Sequence, residues 1–166
     1  MKQLEDSLRY RFRDPSLLEL ALTHPSYASE HGTPHNQRLE FLGDAVLEHV
    51  VSAYLFRTFS HYDEGRLTRL RASIVSEEPL SAAAEKIGLY AFVRLGAGEA
   101  AAGGAHKKSV LSDTMEAVFA AVYLDGGFED ASRVILSVLS EVIANPEERP
   151  ADYKTALQER LFRNGP

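Results

Sequence analysis

Cysteine is absent from the 166 residues, which excludes disulfides, thiolate metal sites and cysteine nucleophiles together and suits a reducing cytoplasm. No apolar run is long enough to span a bilayer, so no membrane partner is expected. The amino-terminal "MKQLEDSLRYRF" has no apolar core of the kind a secretory signal carries. An excess of positive charge is missing too. Eighteen Lys and Arg face 24 Asp and Glu, a formal charge of −6, so the sum gives no hint of a nucleic-acid partner. A site crowded with carboxylates would by itself contribute several of those negative charges.

What is present is an ordinary globular composition, 45% hydrophobic and 25% charged, in a chain long enough for one domain with a real core. Helix signals recur from end to end. Asp14-Pro15 places a capping acid before a proline at a first helical position, and "SLLELALTH" follows with helical spacing until Pro25 breaks the pattern. "HGTPHN" reads as a loop into a long helix, "QRLEFLGDAVLEHVVSAYLF". A further helix is expected from Glu64 through "RLTRLRASIVS", and "EPLSAAAEKIG" ends at Gly88, a natural C-terminal cap. Residues 95–108 are rich in glycine and alanine and read mainly as a loop. "SVLSDTMEAVFAAVYLDGG" is a helix stopped by Gly126-Gly127, and "EDASRVILSVLSEVIA" supplies the last. No strand pair or repeat emerges. The expected fold is all-α, with helices packed around one or two nearly all-apolar ones. Residues 145–150, "NPEERP", read as a linker, and 151–166 begin one more helical pattern too short to be a domain.

Two acid pairs stand out. At about 100° per residue, Glu40 and Asp44 share a side of their helix with Leu47, Val51 and Leu55. Leu39, Leu42, Val46 and Val50 cover the adjacent side, and the polar arc holds Glu48, His49 and Ser52. The acids therefore head a stripe that turns apolar. Gly43 lies beside them, where a missing side chain lets another backbone or a ligand approach. Asp113 and Glu116 likewise share a face with Ala117, Ala120 and Leu124. Two such helices packed together would bring the acids to one end. Their mutual repulsion would be relieved by a hard divalent cation, Mg²⁺ or Mn²⁺, which takes oxygen ligands. Against this stands the plainer reading of each pair as a solvated helix edge. A di-iron carboxylate bundle is disfavoured because neither Glu40 nor Glu116 has a histidine three residues on.

"HNQRLEFLGDAVL" (35–47) resembles the signature of the ribonuclease III family, which cleaves double-stranded RNA. "DEGRLTRLRASIV" (63–75), "LGAGEAAAGGAHKKSVLSDTMEA" (95–117) and "YLDGGF" (123–128) resemble further blocks of that family in the same order, so that the match covers residues 4–144. The resemblance implies an all-helical endonuclease domain over residues 1–144 that works as a homodimer in the cytoplasm. Glu40, Asp44, Asp113 and Glu116 match the family's metal-binding acids. The implied reaction is phosphodiester hydrolysis that leaves 5′-phosphate and 3′-hydroxyl ends, with Mg²⁺ as the cofactor and Mn²⁺ as a substitute.

Glu64 matches a family acid near the cleft, although a helix-start acid is also favoured by the helix dipole. Phe41 matches a position that contacts the other subunit, although an apolar helix position by itself more often packs into a core. Gln37 stands where many members have glutamate, which puts an auxiliary role at that position in doubt. Arg66, Arg69, Arg71, Lys107 and Lys108 are candidates for RNA phosphate contacts, or else solvated surface charges or members of intramolecular ion pairs. "DYKTALQERL" (152–161) resembles the first helix of the double-stranded-RNA-binding domain that follows in this family, so residues 151–166 are expected to be the incomplete start of one. The competing expectations are a catalytically silent relative that binds RNA or serves as a dimerisation platform, and a hydrolase of small phosphate compounds.

Overall fold

A computed structural model describes residues 1–144; the linker and the RNA-binding-domain helix expected over 145–166 lie outside the described residues. Among the described residues ten α-helices follow one another: α1 (Lys2–Leu8), α2 (Pro15–Ala21), α3 (Pro25–His31), α4 (Gln37–Thr58), α5 (Glu64–Val75), α6 (Glu77–Lys86), α7 (Ala97–Ala101), α8 (Lys108–Gly126), α9 (Phe128–Val138) and α10 (Ser140–Ala144). Short 3₁₀ turns occupy Leu89–Ala91 and Gly104–His106. Among the described residues β-structure is limited to one isolated bridge between Thr23 and Arg94.

The caps follow the local chemistry. The Asp14 carboxylate accepts from the Ser16 amide ahead of Pro15, and the Asp63 carboxylate accepts from the Arg66 amide at the start of α5. Gly88 follows the end of α6 in the left-handed region, at φ 73°. Three expectations need correction. Pro25 opens α3 as well as ending the preceding pattern, because a proline at the first helical position gives up an amide that has no intrahelical partner there. The segment 95–108 contains the short α7, whose first amide, that of Ala97, is capped from outside by the Glu30 carboxylate. The last predicted helix is divided at Leu139 into α9 and α10.

The core is built around α8, which packs against α2, α4, α6 and α9. Its central stretch, Ala117 to Val122, is fully buried. As the spacing predicts, α4 buries Leu39, Val46, Leu47, Val50, Val51 and Leu55 against it. Leu124, expected on the acid-bearing face of α8, is instead 51% exposed where the helix runs out of the core. The two central helices meet backbone to backbone. A Cβ placed on Gly43 would lie 1.8 Å from the Glu116 carbonyl oxygen, so glycine is required for the helices to approach this closely.

One carboxylate fastens the amino-terminal arm to the far end of α8. Asp125 accepts from the Tyr10 hydroxyl at 2.7 Å and from the amides of Arg13 and Asp14, each at 2.9 Å.

Candidate metal centre

The Gly43–Glu116 contact places the first turns of α4 beside those of α8. Side-chain oxygens of Glu40, Asp113 and Glu116 consequently come within 4.8 Å of one another. Hard oxygen donors from two rigid helices at this spacing fit a hard divalent cation. The apolar stripes beneath the acids deepen the effect by removing water from them.

The electrostatics follow from that placement. Glu116 is half-buried, and burial, followed by the charges of Asp44, Asp113 and Glu40, pushes its carboxyl up to about 8. Burial raises Glu40 as well, with Asp113 and Asp44 adding to it. Burial also raises Asp113, and the Glu77 charge adds to the rise, while the Ser112 hydroxyl and His24 oppose it. A cation held by these oxygens would reverse that logic by favouring every ionised form.

The remaining site candidates are spread more widely. Asp44 is exposed one turn along α4, outside the group of three although close enough for its charge to raise Glu40 and Glu116. Gln37 is exposed at the first position of α4, and Glu64 is exposed at the first position of α5, where its carboxylate accepts from the Thr68 hydroxyl at 3.0 Å. Arg66 lies over the Tyr62 ring, 3.5 Å from its centroid, and Arg69 is exposed one turn on. Arg71 is committed to Glu48 at 2.8 Å and to the Ser52 hydroxyl at 3.0 Å. Lys107 is paired with Glu99 at 2.7 Å and Lys108 with Glu78 at 2.5 Å, so an incoming phosphate must exchange with these carboxylates. Phe41 is 82% exposed, which removes the core reading of that position. Phe56, about four turns further along α4, is 73% exposed.

Two neighbours of the site had no signal in the sequence. Glu77 stands near enough to Asp113 to raise it, yet it is 36 residues away at the start of α6 and only tertiary packing joins them. His24 is the other, through its electrostatic link to Asp113.

Residues 14–142 match the family described as ribonuclease-III-like. The chain is 49% identical over 163 residues to the ribonuclease 3 of Syntrophotalea carbinolica, covering 95% of this chain and 70% of the relative. It is 49% identical over 160 residues to the ribonuclease 3 of Bordetella pertussis, covering 95% of this chain and 61% of that protein. The chain thus spans roughly two thirds of the length of these relatives. The structure is also similar to a ribonuclease III nuclease domain from Campylobacter jejuni, described for flexibility in a region involved in its dimer formation. The TM-score is 0.81 at 42% identity, over 84% of this chain and 96% of that one.

Proposed function

The chain belongs to the ribonuclease III family of endoribonucleases, and from that premise we propose that it hydrolyses phosphodiester bonds of double-stranded RNA as a Mg²⁺-dependent homodimer. The observation that carries this reading is the convergence of Glu40, Asp113 and Glu116 within 4.8 Å at the contact between α4 and α8. Asp44 completes the set from the next turn, and Mn²⁺ serves in place of Mg²⁺.

When bound, the cation supplies Lewis-acid activation of the attacking water and neutralises charge at the phosphate. The protein's own part is placement. Glu40 and Glu116 present oxygens from helices that cannot slide, because Gly43 rests on the Glu116 backbone. Arg66, Arg69, Lys107 and Lys108 supply positive charge for the flanking phosphates, the two lysines by exchanging their present carboxylate partners. No side chain acts as a nucleophile, and cleavage leaves 5′-phosphate and 3′-hydroxyl ends. The exposed Phe41 on α4 is an apolar side chain of the kind a second copy covers, and Glu64 is then presented toward the partner's site. Residues 1–144 are the nuclease domain, 145–150 a linker, and 151–166 the start of an RNA-binding domain. A cytoplasmic location fits a substrate found there, and among the described residues no helix is long and apolar enough to cross a membrane.

The test incubates the protein with long duplex RNA at low salt, with Mg²⁺ or with chelator. Shortening of the duplex only with Mg²⁺, to products carrying 5′-phosphates, is the expected result. Intact RNA under both conditions refutes the proposal and leaves a silent RNA-binding relative.

A further inference from the structure

His24 precedes α3, outside the helices that carry the acids, and interacts electrostatically with Asp113 of the candidate centre. Its backbone is fixed: the His24 amide donates to the Arg94 carbonyl at 3.1 Å, and the Arg94 amide returns a bond to Leu22 at 2.8 Å. The imidazole is fixed as well. The Ser26 amide donates to Nδ1 at 3.1 Å, and the Ser26 hydroxyl lies 2.8 Å from the same nitrogen. That hydroxyl oxygen already accepts from the Gly96 amide at 2.9 Å, so its own hydrogen is available to Nδ1. Since an amide can only donate, Nδ1 carries the lone pair and the neutral ring holds its proton on Nε2. Burial lowers the pKa of the ring.

Among the described residues nothing hydrogen-bonds to Nε2. The charges that act on the ring are Glu99, Asp113, Lys107 and His35, from three separate segments. An N–H held in one tautomer on a half-buried residue, with Lys107 and Asp113 among the charges that act on it, is suited to an anionic oxygen. An oxygen there is reached by a donor that carries no charge of its own.

We propose that His24 binds duplex RNA directly, donating its Nε2 hydrogen to a backbone phosphate oxygen next to the phosphate held at Asp113, with Lys107 beside it. The contact rests on the nuclease reading above. It also explains why the ring is locked through both Ser26 groups, since the lock fixes which nitrogen faces the RNA. The role is distinct from that of the basic side chains: the lysines and arginines contribute charge, whereas His24 contributes one oriented hydrogen bond.

The variant that separates this from a structural role is His24→Asn. Asparagine keeps an acceptor for the Ser26 amide at the cap and loses the donor at the Nε2 position. KM for a defined RNA duplex is expected to rise roughly tenfold, the scale of one hydrogen bond to a charged group, with kcat and the Mg²⁺ half-saturation concentration little changed. The slope of log affinity against log salt should be that of the wild type, whereas Lys107→Ala should reduce it by about one. An unchanged KM overturns the assignment. So does a shift in Mg²⁺ half-saturation at unchanged KM, which would make His24 a support for Asp113. Should His24→Asn fail to fold, imidazole NMR of Glu116→Gln protein with Mg²⁺ and the duplex gives the answer. A hydrogen-bonded Nε2 proton appearing at His24 on RNA binding supports the contact, and an unmoved signal refutes it. Wild-type protein that neither binds nor cuts the duplex refutes the nuclease reading itself, whereas normal wild-type cutting with an unaffected variant refutes His24 alone.

Discussion

Replacing Gly43 by alanine sets two effects of opposite sign against each other in the same helix. By intrinsic propensity the change should stabilise α4 by about 1 kcal/mol, since glycine loses more backbone freedom on entering a helix. By packing it should do the reverse. The new Cβ would stand 1.8 Å from the Glu116 carbonyl oxygen, 2.5 Å from its carbon and 3.2 Å from its Cα. To restore ordinary contact the helices must part locally by about 1.6 Å, and no rotamer can share the strain because both partners are backbone. Overpacking usually costs about 1–3 kcal/mol, and a backbone-to-backbone clash between the two central helices belongs at the upper end. The net expectation is destabilisation by about 2 kcal/mol. In urea titrations at fixed protein concentration, a slope of about 2 kcal/mol/M makes this a drop of about 1 M in the midpoint. Activity should suffer more than stability, because parting the helices carries Glu116 away from Glu40. A misplacement of this size is worth about a hundredfold in rate. A Gly43→Ala protein with an unchanged or higher midpoint and wild-type cleavage would refute the claim that this contact assembles the site.

The other expectations can be checked with standard measurements. Glu116→Gln should abolish cutting while leaving the fold and dimer intact, seen by circular dichroism and ultracentrifugation; retained cleavage would sink the assignment of that acid. Without metal, the folded Glu116 carboxyl lies near 8 while the unfolded one lies near 4.5, so unfolding releases a proton between those values. The stability contributed by the neutral form is full below about pH 4.5 and is lost as pH rises through about 8, so Glu116→Gln should flatten that decline in the melting temperature of the metal-free protein. Asp125→Asn leaves one acceptor oxygen for donors from Tyr10, Arg13 and Asp14, and a loss of about 1–3 kcal/mol in chemical denaturation is expected. Glu99→Gln releases Lys107 from its ion pair, so duplex RNA should bind several-fold more tightly at low salt, with the gain fading as salt is added. Unchanged affinity at low salt would mean the pair does not compete with phosphate.

The acid-bearing helices were legible because their information is local. Glu40 and Asp44 recur at helical spacing with Leu47, Val51 and Leu55, and the last three are buried as that spacing requires. Gly43 was recognisable as a place for close approach, although its partner, the Glu116 backbone, was not. Local rules misjudged boundaries where two signals coincide: Pro25 both ends one helix and starts another, and Leu139 divides a continuous apolar pattern without any glycine or proline. What stayed hidden depends on tertiary pairing. Lys107 and Lys108 read either as phosphate contacts or as members of intramolecular ion pairs, and the pairs are present, but their partners Glu99 and Glu78 come from elsewhere in the chain and could not be named from spacing. Glu77 and His24 have no spacing relation to Asp113 and become its neighbours only when α3, α6 and α8 pack. Phe41 shows the opposite failure, since its apolar character alone suggested a core position and the structure turns it to solvent.

The Asp125 carboxylate also bears on the order in which the protein can be completed. Its partners Tyr10, Arg13 and Asp14 are synthesised long before it, and the Tyr10 bond spans 115 positions. A chain emerging from the ribosome therefore carries its amino-terminal arm without an anchor until the end of α8 has appeared, by which point both acid pairs have also been made. Docking of the arm comes after the parts of the centre exist, so a nascent chain with Tyr10 to Asp14 locked down is one that already possesses its complete set of carboxylates.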